Sequence, residues 1–380
     1  MNLLQQLETP TLLLDEARMT RNIERMQSRM NALGVRFRPH VKTSKCVDVA
    51  KRQFDAGASG ITVSTLKEAD EFFAAGITDI LYAVAIAPTK FDHAMRLAKA
   101  GANLTLLVES AQAARLLTEH GVRHGHCHET LVEIDTDGHR SGIAPDDSAL
   151  LQVAHELRVE NTAGARLKGV LTHAGSSYSL NTPAALQAMA EQERAGCVRA
   201  AERLRNAGHA CNIVSVGSTP TALSAEHLDG VTEVRAGVYV FFDLVMAGVG
   251  VCAVEDIALS VLCAVIGHQP SRGWIITDAG WMAMSRDRGT QSQTIDREYG
   301  LVCDIDGHPL THLRFSDANQ EHGVLQSIDA SIDVVRRYPI GSQLRILPNH
   351  ACSTGAQFAS YRVISTSCEA LPTWPRFNGW

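Results

Sequence analysis

The chain has 380 residues, of which 45% are hydrophobic, and it carries a formal net charge of −6 with an isoelectric point near 6.2. This length exceeds one barrel-sized domain of roughly 250 residues, so we expect two domains. The acidic balance, with no run of lysines or arginines, excludes the electrostatic footprint of a nucleic-acid or anionic-membrane binder. The expected partner is therefore a small molecule.

Nine scattered cysteines form no CxxC pair, which argues against a disulfide framework or a zinc finger and suits a reducing compartment. No segment approaches membrane-spanning length, and the chain begins without the cationic head and long apolar core of a signal peptide. We therefore expect a soluble, cytoplasmic protein.

The first 245 residues alternate between short β-branched runs and helix-like spacers. Continuous rather than alternating hydrophobicity is typical of strands covered on both faces, and helical spacers imply parallel crossovers. The pattern predicts an α/β fold with a closed (β/α)8 TIM barrel over residues 15–245. The eight predicted strands are 35–42, 60–64, 80–84, 104–110, 130–135, 167–175, 213–217 and 233–240.

Residues 246–380 show a different sequence pattern. Apolar runs at 258–267, 274–278, 301–305 and 343–348 are separated by Gly, Asp, Pro and Asn, with few helix-length patterns. They predict a compact β domain over residues 246–380. Residues 1–14 include an extended apolar run, and we expect them to pair with this domain.

The motif RPHVKTSK places two lysines just past the first predicted strand, where such barrels keep their chemistry. Lys42 is the candidate Schiff-base lysine, because partial desolvation at a strand end lowers the pKa of an amine and lets it add to an aldehyde such as pyridoxal phosphate. The alternative is a solvated surface lysine.

Other polar residues are expected at the same rim of the barrel. Glycine, hydroxyls and Pro220 in the run GSTPT have the properties of a phosphate cradle after the seventh strand, although an isolated GSTP is as readily a capped turn. Gly237 in the eighth strand would adjoin this cradle. The remaining rim residues are Arg140, His173, Tyr178 and Arg235.

His350 and Cys352 are a second candidate site. In an extended segment, residues two apart point to the same face, so the imidazole and the thiolate would chelate one ion such as Zn²⁺. Two protein ligands leave coordination positions open, which is typical of catalytic sites. The alternative is a buried cysteine beside a loop histidine.

The run His124-Gly125-His126-Cys127-His128 also looks metal-binding. It precedes the fifth strand and therefore belongs to the end of the barrel opposite the lysine. We interpret it as a solvated loop with adventitious metal affinity at most.

In combination, these motifs resemble the fold-type III pyridoxal-phosphate enzymes, whose barrel and C-terminal β domain form the alanine racemase architecture. The chain is most similar to their D-serine dehydratase and D-threonine aldolase branch, and within it to the bacterial D-threo-3-hydroxyaspartate dehydratases. The resemblance rests on RPHVKTSK around Lys42, EIDTDGHRSGI around Arg140, THAGSSY from Thr172, SVGSTPT around Ser218, EVRAGVYVFFD around Arg235, NQEHG from Asn319 and LPNHAC ending at Cys352.

The resemblance implies that Lys42 holds pyridoxal phosphate covalently. Arg140 would meet the pyridine 3-oxygen, Arg235 the ring nitrogen, and His173 and Tyr178 would lie beside the ring. His350 and Cys352 match the metal pair of the dehydratases, whereas the aldolases tend to carry an aspartate in the second position. The phosphate would be lined by Gly217, Ser218, Thr219, Gly237 and Val238.

The implied function is a lyase that eliminates water from D-β-hydroxy amino acids, such as D-threo-3-hydroxyaspartate or D-serine, to give a keto acid and ammonia. It would need pyridoxal phosphate and a divalent metal (Zn, Mn, Co or Mg), and it would act as a homodimer. The alternative is retro-aldol cleavage to glycine and an aldehyde. An amino-acid racemase is less favoured because the metal pair would have no task. A non-catalytic pyridoxal-phosphate protein would lack the β domain.

Overall fold

The computed structural model describes residues 3–365 and 370–380, so Cys368 lies outside the described residues. The chain divides into two compact units, one of residues 1–23 with 238–378 and one of residues 24–237 with 379–380. The domain limits expected from the sequence, 15–245 and 246–380, differ from this division near each boundary and stay a prediction.

Eight parallel strands form the centre of the unit that spans residues 24–237, and the short strand Val159–Glu160 pairs antiparallel with one of them. Each strand pairs with the next along the chain, the first also pairs with the eighth, and a bridge between His40 and Thr62 joins the first to the second. The predicted (β/α)8 barrel is therefore confirmed. Its strands are Arg36–Phe37, Ile61–Val63, Asp79–Ala85, Asn103–Val108, Cys127–Ile134, Ala163–Thr172, Ile213–Val216 and Glu233–Val234.

Apolar side chains from consecutive strands fill the barrel. Leu81, Leu107, Leu131 and Leu171, one from each of four neighbouring strands, form a buried cluster. Inward-pointing branched residues are typical of such barrel interiors. This packed centre leaves the carboxyl ends of the strands as the place for a polar pocket.

Helices connect the barrel strands, and the predicted spacers form them. The first spacer ends at Gly34, which has a φ of +69°, a left-handed conformation that glycine adopts without steric cost. The helices are Glu16–Ala32, Val47–Asp55, Leu66–Ala74, Phe91–Lys99, Ala111–His124, Ala149–Glu156, Pro183–Asn206 and Thr219–Ser224. Across the described part of the chain, no helix has both the length and the apolar character needed to cross a membrane.

The other unit contains a mainly antiparallel sheet. Its strand Thr11–Asp15 pairs with Leu259–Gln269 on one side and Ser360–Ile364 on the other, which brings the start of the chain into this sheet. The remaining strands are Trp274–Thr277, Leu301–Cys303, Leu313–Ala318, Gly323–Ser327, Gln343–Leu347 and Thr373–Pro375, and short helices cover Leu244–Val249, Trp281–Met284, Val334–Arg337 and Ala351–Gly355.

Candidate active site

A cavity of about 350 Å³ lies at the carboxyl ends of the barrel strands. Four residues that the sequence singled out line it together: Lys42, Arg140, His173 and Arg235. They come from widely separated parts of the chain and meet because parallel strands end at the same rim. The volume is in the range of small-molecule sites.

Lys42 lies in the turn that follows the first barrel strand, and its side chain is exposed in the single chain. The partial desolvation expected from the sequence is therefore not provided by this chain alone. Lys45 differs, because its Nζ lies 3.3 Å from an oxygen of the buried Glu68 carboxylate. Of these two lysines, Lys42 is the one in the cavity.

Burial and nearby positive charge together lower the pKa of two histidines in the cavity. Burial, together with Lys42 and Arg235, holds the pKa of His40 well below its ordinary value. Burial and the same two cations lower the pKa of His173 to about 3. Both imidazoles are therefore neutral near pH 7, because a charged form would be poorly solvated and repelled.

Sequence reasoning missed His40, which precedes Lys42 by two residues. Its Nδ1 is buried and has no hydrogen-bond partner among the described groups, while its Nε2 lies 3.5 Å from Ser64 Oγ. A buried polar atom without a partner is costly in a finished structure, so this atom is a candidate ligand contact. The sequence feature that could have identified His40 is its position in the lysine motif at the end of a predicted strand.

Arg235 is a buried cation held by neighbouring polar atoms. Its Nε donates a hydrogen bond to Ser215 Oγ at 2.9 Å, and a terminal nitrogen donates to the carbonyl of Thr172. Burial lowers the pKa of Arg235, although the nearby carboxylates of Glu233 and Glu193 oppose this change. The guanidinium is fixed by these contacts, so it presents a stationary positive charge to the cavity.

Arg140 also lines the cavity and is exposed. Its guanidinium is 4.0 Å from Glu133, a buried carboxylate that also accepts a hydrogen bond from Ser141 Oγ at 3.1 Å. Burial raises the pKa of Glu133. Sequence reasoning missed this carboxylate, although it belongs to the same motif as Arg140.

The loop after the seventh strand forms the predicted helix start. Ser218 is the N-cap of the helix Thr219–Ser224, and its Oγ accepts a hydrogen bond from the backbone N–H of Thr221. Gly217 has a φ of +129°, and an added Cβ would lie 2.3 Å from the carbonyl oxygen of Arg235. Only glycine fits there, so the backbone of this loop approaches the eighth strand closely.

His173 connects the cavity to this loop. Its Nδ1–H donates to the carbonyl of Gly217 at 3.0 Å, which leaves Nε2 as the acceptor nitrogen of the neutral ring. The Tyr178 ring lies beside it, with centroids 6.0 Å apart. Ser177 Oγ and Ser218 Oγ are 2.8 Å apart, which ties the loop after the sixth strand to the capped turn.

Glu193, which sequence reasoning missed, supports both loops from the long helix Pro183–Asn206. One of its carboxylate oxygens accepts hydrogen bonds from the backbone N–H groups of Ala174 and Gly217 at 2.8 and 3.2 Å. The residue is buried, and burial raises its pKa. Its spacing could have identified Glu193 as buried, since it lies on the same helical face as the buried residues Leu186, Ala190 and Cys197.

Gly237 and Val238 lie at the border between the two units. A Cβ added to Gly237 would lie 3.0 Å from the carbonyl oxygen of His40 and 3.1 Å from Thr43 Oγ1, so the backbone here passes close to the lysine turn. Val238 is buried and opens the short turn Val238–Val240.

His350 and Cys352 belong to the other unit, and their side chains are hydrogen-bonded to each other. The local structure differs from the extended segment assumed in the sequence analysis. His350 has extended backbone angles, but it is the N-cap of the helix Ala351–Gly355, and Cys352 lies in the first turn of that helix. The strand geometry was therefore wrong, while the expected contact between the two side chains is present.

The His350 imidazole is oriented by acidic and hydroxyl groups. Its Nδ1 lies 2.6 Å from Asp287 Oδ2, and Ser353 Oγ donates to the same carboxylate oxygen at 3.1 Å. Burial lowers the pKa of His350, but Cys352, Asp287 and Asp243 outweigh this effect and raise it to about 11. The sequence analysis gave Asp287 no metal-site role, and 63 residues of chain separate it from His350.

Comparison with known proteins assigns the chain to a family. The model of the alanine racemase N-terminal domain matches residues 14–245, and that of a putative serine dehydratase domain matches residues 258–364. The chain therefore belongs to the alanine racemase-like, fold-type III family of pyridoxal-phosphate enzymes, as the sequence predicted.

Its individual relatives are more specific. D-threo-3-hydroxyaspartate dehydratase from Delftia sp. (strain HT23) is 60% identical over 376 residues, which cover 98% of each chain. A solved cysteine-to-alanine mutant of D-threo-3-hydroxyaspartate dehydratase in the metal-free form is 58% identical, covers 100% of both chains and has a TM-score of 0.97. D-threonine aldolase from Arthrobacter sp. is more distant, at 30% identity over 92% of this chain and 87% of its own.

Proposed function

We propose that the protein is a lyase that uses pyridoxal phosphate and a divalent metal to eliminate water from D-β-hydroxy amino acids. The products are a keto acid and ammonia. The observation that carries this proposal is the cavity that combines Lys42, Arg140, His173 and Arg235. Its main support from outside the structure is the 60% identity to D-threo-3-hydroxyaspartate dehydratase, so we propose D-threo-3-hydroxyaspartate as the first substrate to test and D-serine as the second.

The cavity fits the cofactor. Its amine, its two guanidiniums and the buried Nδ1 of His40 without a hydrogen-bond partner are suited to an aldehyde that carries a phenolate oxygen and a phosphate. We propose that Lys42 attaches the cofactor and that Arg140 binds its 3-oxygen. Arg235 would lie at the ring nitrogen, and His173 and Tyr178 beside the ring. Gly217, Ser218, Thr219, Gly237 and Val238 are the proposed phosphate residues.

The second donor set fits a metal. Because Asp287 holds Nδ1 of His350, Nε2 is the ring nitrogen that would bind an ion, as in other carboxylate-supported histidine ligands. Cys352 contributes a sulfur, and imidazole with thiolate favours Zn²⁺ over Mg²⁺. The metal-free form described for the dehydratase mutant supports a metal in this family. Zinc is our first proposal, with manganese, cobalt and magnesium as the others to test.

When bound, pyridoxal phosphate supplies the electron sink for cleavage at the substrate Cα, and the metal ion supplies a Lewis acid for the departing β-hydroxyl oxygen. Lys42 would hold the cofactor through Nζ, and the same amine, when not attached, would be the base that accepts the substrate Cα proton. The fixed positive charge of Arg235 would disfavour protonation of a ring nitrogen held beside it, and the cofactor would then be a weaker electron sink. Stabilisation of the leaving oxygen is therefore needed for this reaction.

Retro-aldol cleavage to glycine and an aldehyde is the second candidate. The same lysine and metal pair would serve it if a base removed the β-hydroxyl proton instead. The 30% identity to D-threonine aldolase supports this alternative, but the cysteine at position 352 favours dehydration. A racemase reaction would not use the metal ligands His350 and Cys352.

We propose that the active protein is a homodimer in the cytoplasm. The dimer rests on the family resemblance and on the exposure of Lys42, since a second subunit would supply the cover that the single chain does not. Analytical ultracentrifugation of the active protein tests it, and a fully active monomer would remove it.

The decisive experiment separates the metal from the cofactor. The purified protein is treated with a chelator and assayed with D-threo-3-hydroxyaspartate, D-serine and D-threonine for ammonia, keto acid, glycine and aldehyde. We expect chelation to suppress ammonia release while the visible absorbance of the bound cofactor is unchanged, and added Zn²⁺ to restore release.

Three variants complete this experiment. We expect His350→Ala and Cys352→Ala to lose metal and most ammonia release, whereas Cys252→Ala, which removes another half-buried cysteine of the same unit, keeps both. Full ammonia release from demonstrably metal-free protein or from His350→Ala would contradict the mechanism. Glycine and aldehyde as the main products would favour the aldolase alternative.

A further inference from the structure

Three side chains on the outer helices of the barrel form a cluster that the proposed function does not use. His120 and His124 are one turn apart on the helix Ala111–His124, and Asp92 is the second residue of the helix Phe91–Lys99. Their ligand atoms all lie within 4.8 Å of one another. The solvated loop expected for residues 124–128 was therefore wrong: His124 ends a helix, and His128 is buried in a strand.

His120 is held between two partners. Its Nε2 lies 3.0 Å from Asp92 Oδ1, and its Nδ1 lies 3.1 Å from Nε2 of the buried His128. If His120 donates from Nδ1 to His128, the lone pair on its Nε2 faces the Asp92 carboxylate. Two acceptor atoms then face each other, and a cation that binds both the Nε2 lone pair and the carboxylate oxygen removes their repulsion. The opposite tautomers satisfy these contacts without an ion.

His128 lies behind the ligands and contacts the ring of His120. It is buried in the strand Cys127–Ile134, and its Nε2 lies 3.1 Å from Nδ1 of His120. A hydrogen-bond partner behind a histidine ligand sets the ring orientation and the tautomer, which is the arrangement found around bound metals.

We propose that Asp92, His120 and His124 bind Zn²⁺ at a second metal site, separate from the pair His350 and Cys352. Two imidazoles and a carboxylate form a donor set that zinc accepts, with water completing the coordination. The i,i+4 spacing places both histidines on one helical face. Asp92 and His124 are exposed, so ion and water reach the site from solvent.

This site is remote from the cavity that contains Lys42. His128, behind the ligands, lies near the amino end of the strand Cys127–Ile134, while Glu133 of the same strand lines the cavity. Five residues of strand correspond to about 16 Å. An ion here joins the helices Phe91–Lys99 and Ala111–His124, so its effect is on stability rather than on turnover.

The test measures Zn²⁺ binding to the cofactor-loaded protein by isothermal titration and by metal analysis after gel filtration. The background is Cys352→Ala, which removes a ligand of the other proposed site. We expect one remaining Zn²⁺ per chain and a rise in the unfolding temperature on adding Zn²⁺, because an ion that binds only the folded chain stabilises it.

Two exposed substitutions break the site without opening the core. In this background, His124→Ala and Asp92→Asn should weaken the remaining Zn²⁺ binding by more than about tenfold. Substitution of a group that only hydrogen-bonds to a metal ligand already lowers metal affinity by that factor. His227→Ala is the matched control, because His227 is an exposed histidine between the carboxylates of Glu191 and Asp229. In the wild-type background, ammonia release by His124→Ala should be unchanged.

The outcomes separate the two proposals. No Zn²⁺ in the Cys352→Ala protein, or equal Zn²⁺ in that protein and in its His124→Ala and Asp92→Asn derivatives, would overturn the second site and leave the proposed lyase untouched. Loss of Zn²⁺ on His227→Ala as well would identify the binding as nonspecific and overturn it too.

Discussion

His173 and His350 belong to different units of the chain, and their surroundings have opposite charge. Burial and the cations Lys42, Arg235 and Arg140 lower the pKa of His173 to about 3. Burial also acts to lower that of His350, but Cys352, Asp287 and Asp243 raise it to about 11. Burial, reinforced by cations, thus keeps the His173 imidazole neutral, whereas neighbouring anionic groups overcome burial and make His350 a proton-binding group.

The difference has a chemical consequence at each site. A cation-rich cavity attracts a phosphate or carboxylate, and its neutral histidine adds no further positive charge to repel the Lys42 amine. An anion-rich pocket attracts either a proton or a metal ion, and the two compete for His350. We therefore expect the cofactor and the metal to be separable by substitutions and by pH.

The largest effect is expected at Lys42. Lys42→Ala should abolish the visible absorbance of bound cofactor, because it removes the attachment point. It should also lower ammonia release by about 10²- to 10⁴-fold, because it removes the proton acceptor. Metal content should be unchanged. Lys45→Arg, which keeps the ion pair with Glu68, is the control. Borohydride reduction and peptide mapping that labelled Lys45 would show that the wrong lysine was assigned.

Asp287→Asn should have an intermediate effect, confined to the other site. The amide still contacts Nδ1 of His350 but loses the charge that supports it as a ligand, so we expect metal affinity to fall about 10–100-fold, measured by competition with a chromophoric chelator. Asp317→Asn, at an exposed aspartate of the same unit, is the control. A parallel loss of cofactor absorbance would show that the two sites are not separable.

The smallest effect is on the pH dependence of unfolding in the protein stripped of metal and cofactor. His173 has a folded pKa of about 3 against an ordinary 6.5, so its contribution is present above pH 6.5 and is lost as the pH falls toward 3. His350 has a raised pKa, so its contribution is present below pH 6.5 and is lost as the pH rises toward 11.

Urea unfolding across both pH ranges measures these contributions. His173→Gln should flatten the acid limb by up to about 1.4 kcal/mol per pH unit, and His350→Gln should flatten the alkaline limb. Asp317→Asn serves again as the control and should alter neither limb. An acid limb left unchanged by His173→Gln would contradict the lowered pKa that burial and the nearby cations give to His173.

Much of the fold was predictable because its signals are local. Several barrel strands, such as Ile61–Val63 and Asn103–Val108, lie in apolar or β-branched runs, and helix-ending glycines such as Gly34 need only their own backbone angles to act. The rim residues Lys42, Arg140, His173 and Arg235 were found because the carboxyl ends of parallel strands meet by construction. The local geometry at His350 was missed, because the polarity of the segment does not reveal that a helix begins there.

The sequence by itself determined the order of strands and helices, the family and the residues that carry ionisable or metal-binding groups. Only the tertiary structure decided their partners. Glu193 supports Gly217, Asp287 holds His350, and His120 meets Asp92. These contacts join residues that are distant along the chain, and protonation depends on burial and on charges within a few ångströms. Neither quantity is encoded by spacing along the sequence, so the chemistry of each histidine emerged only with the folded chain.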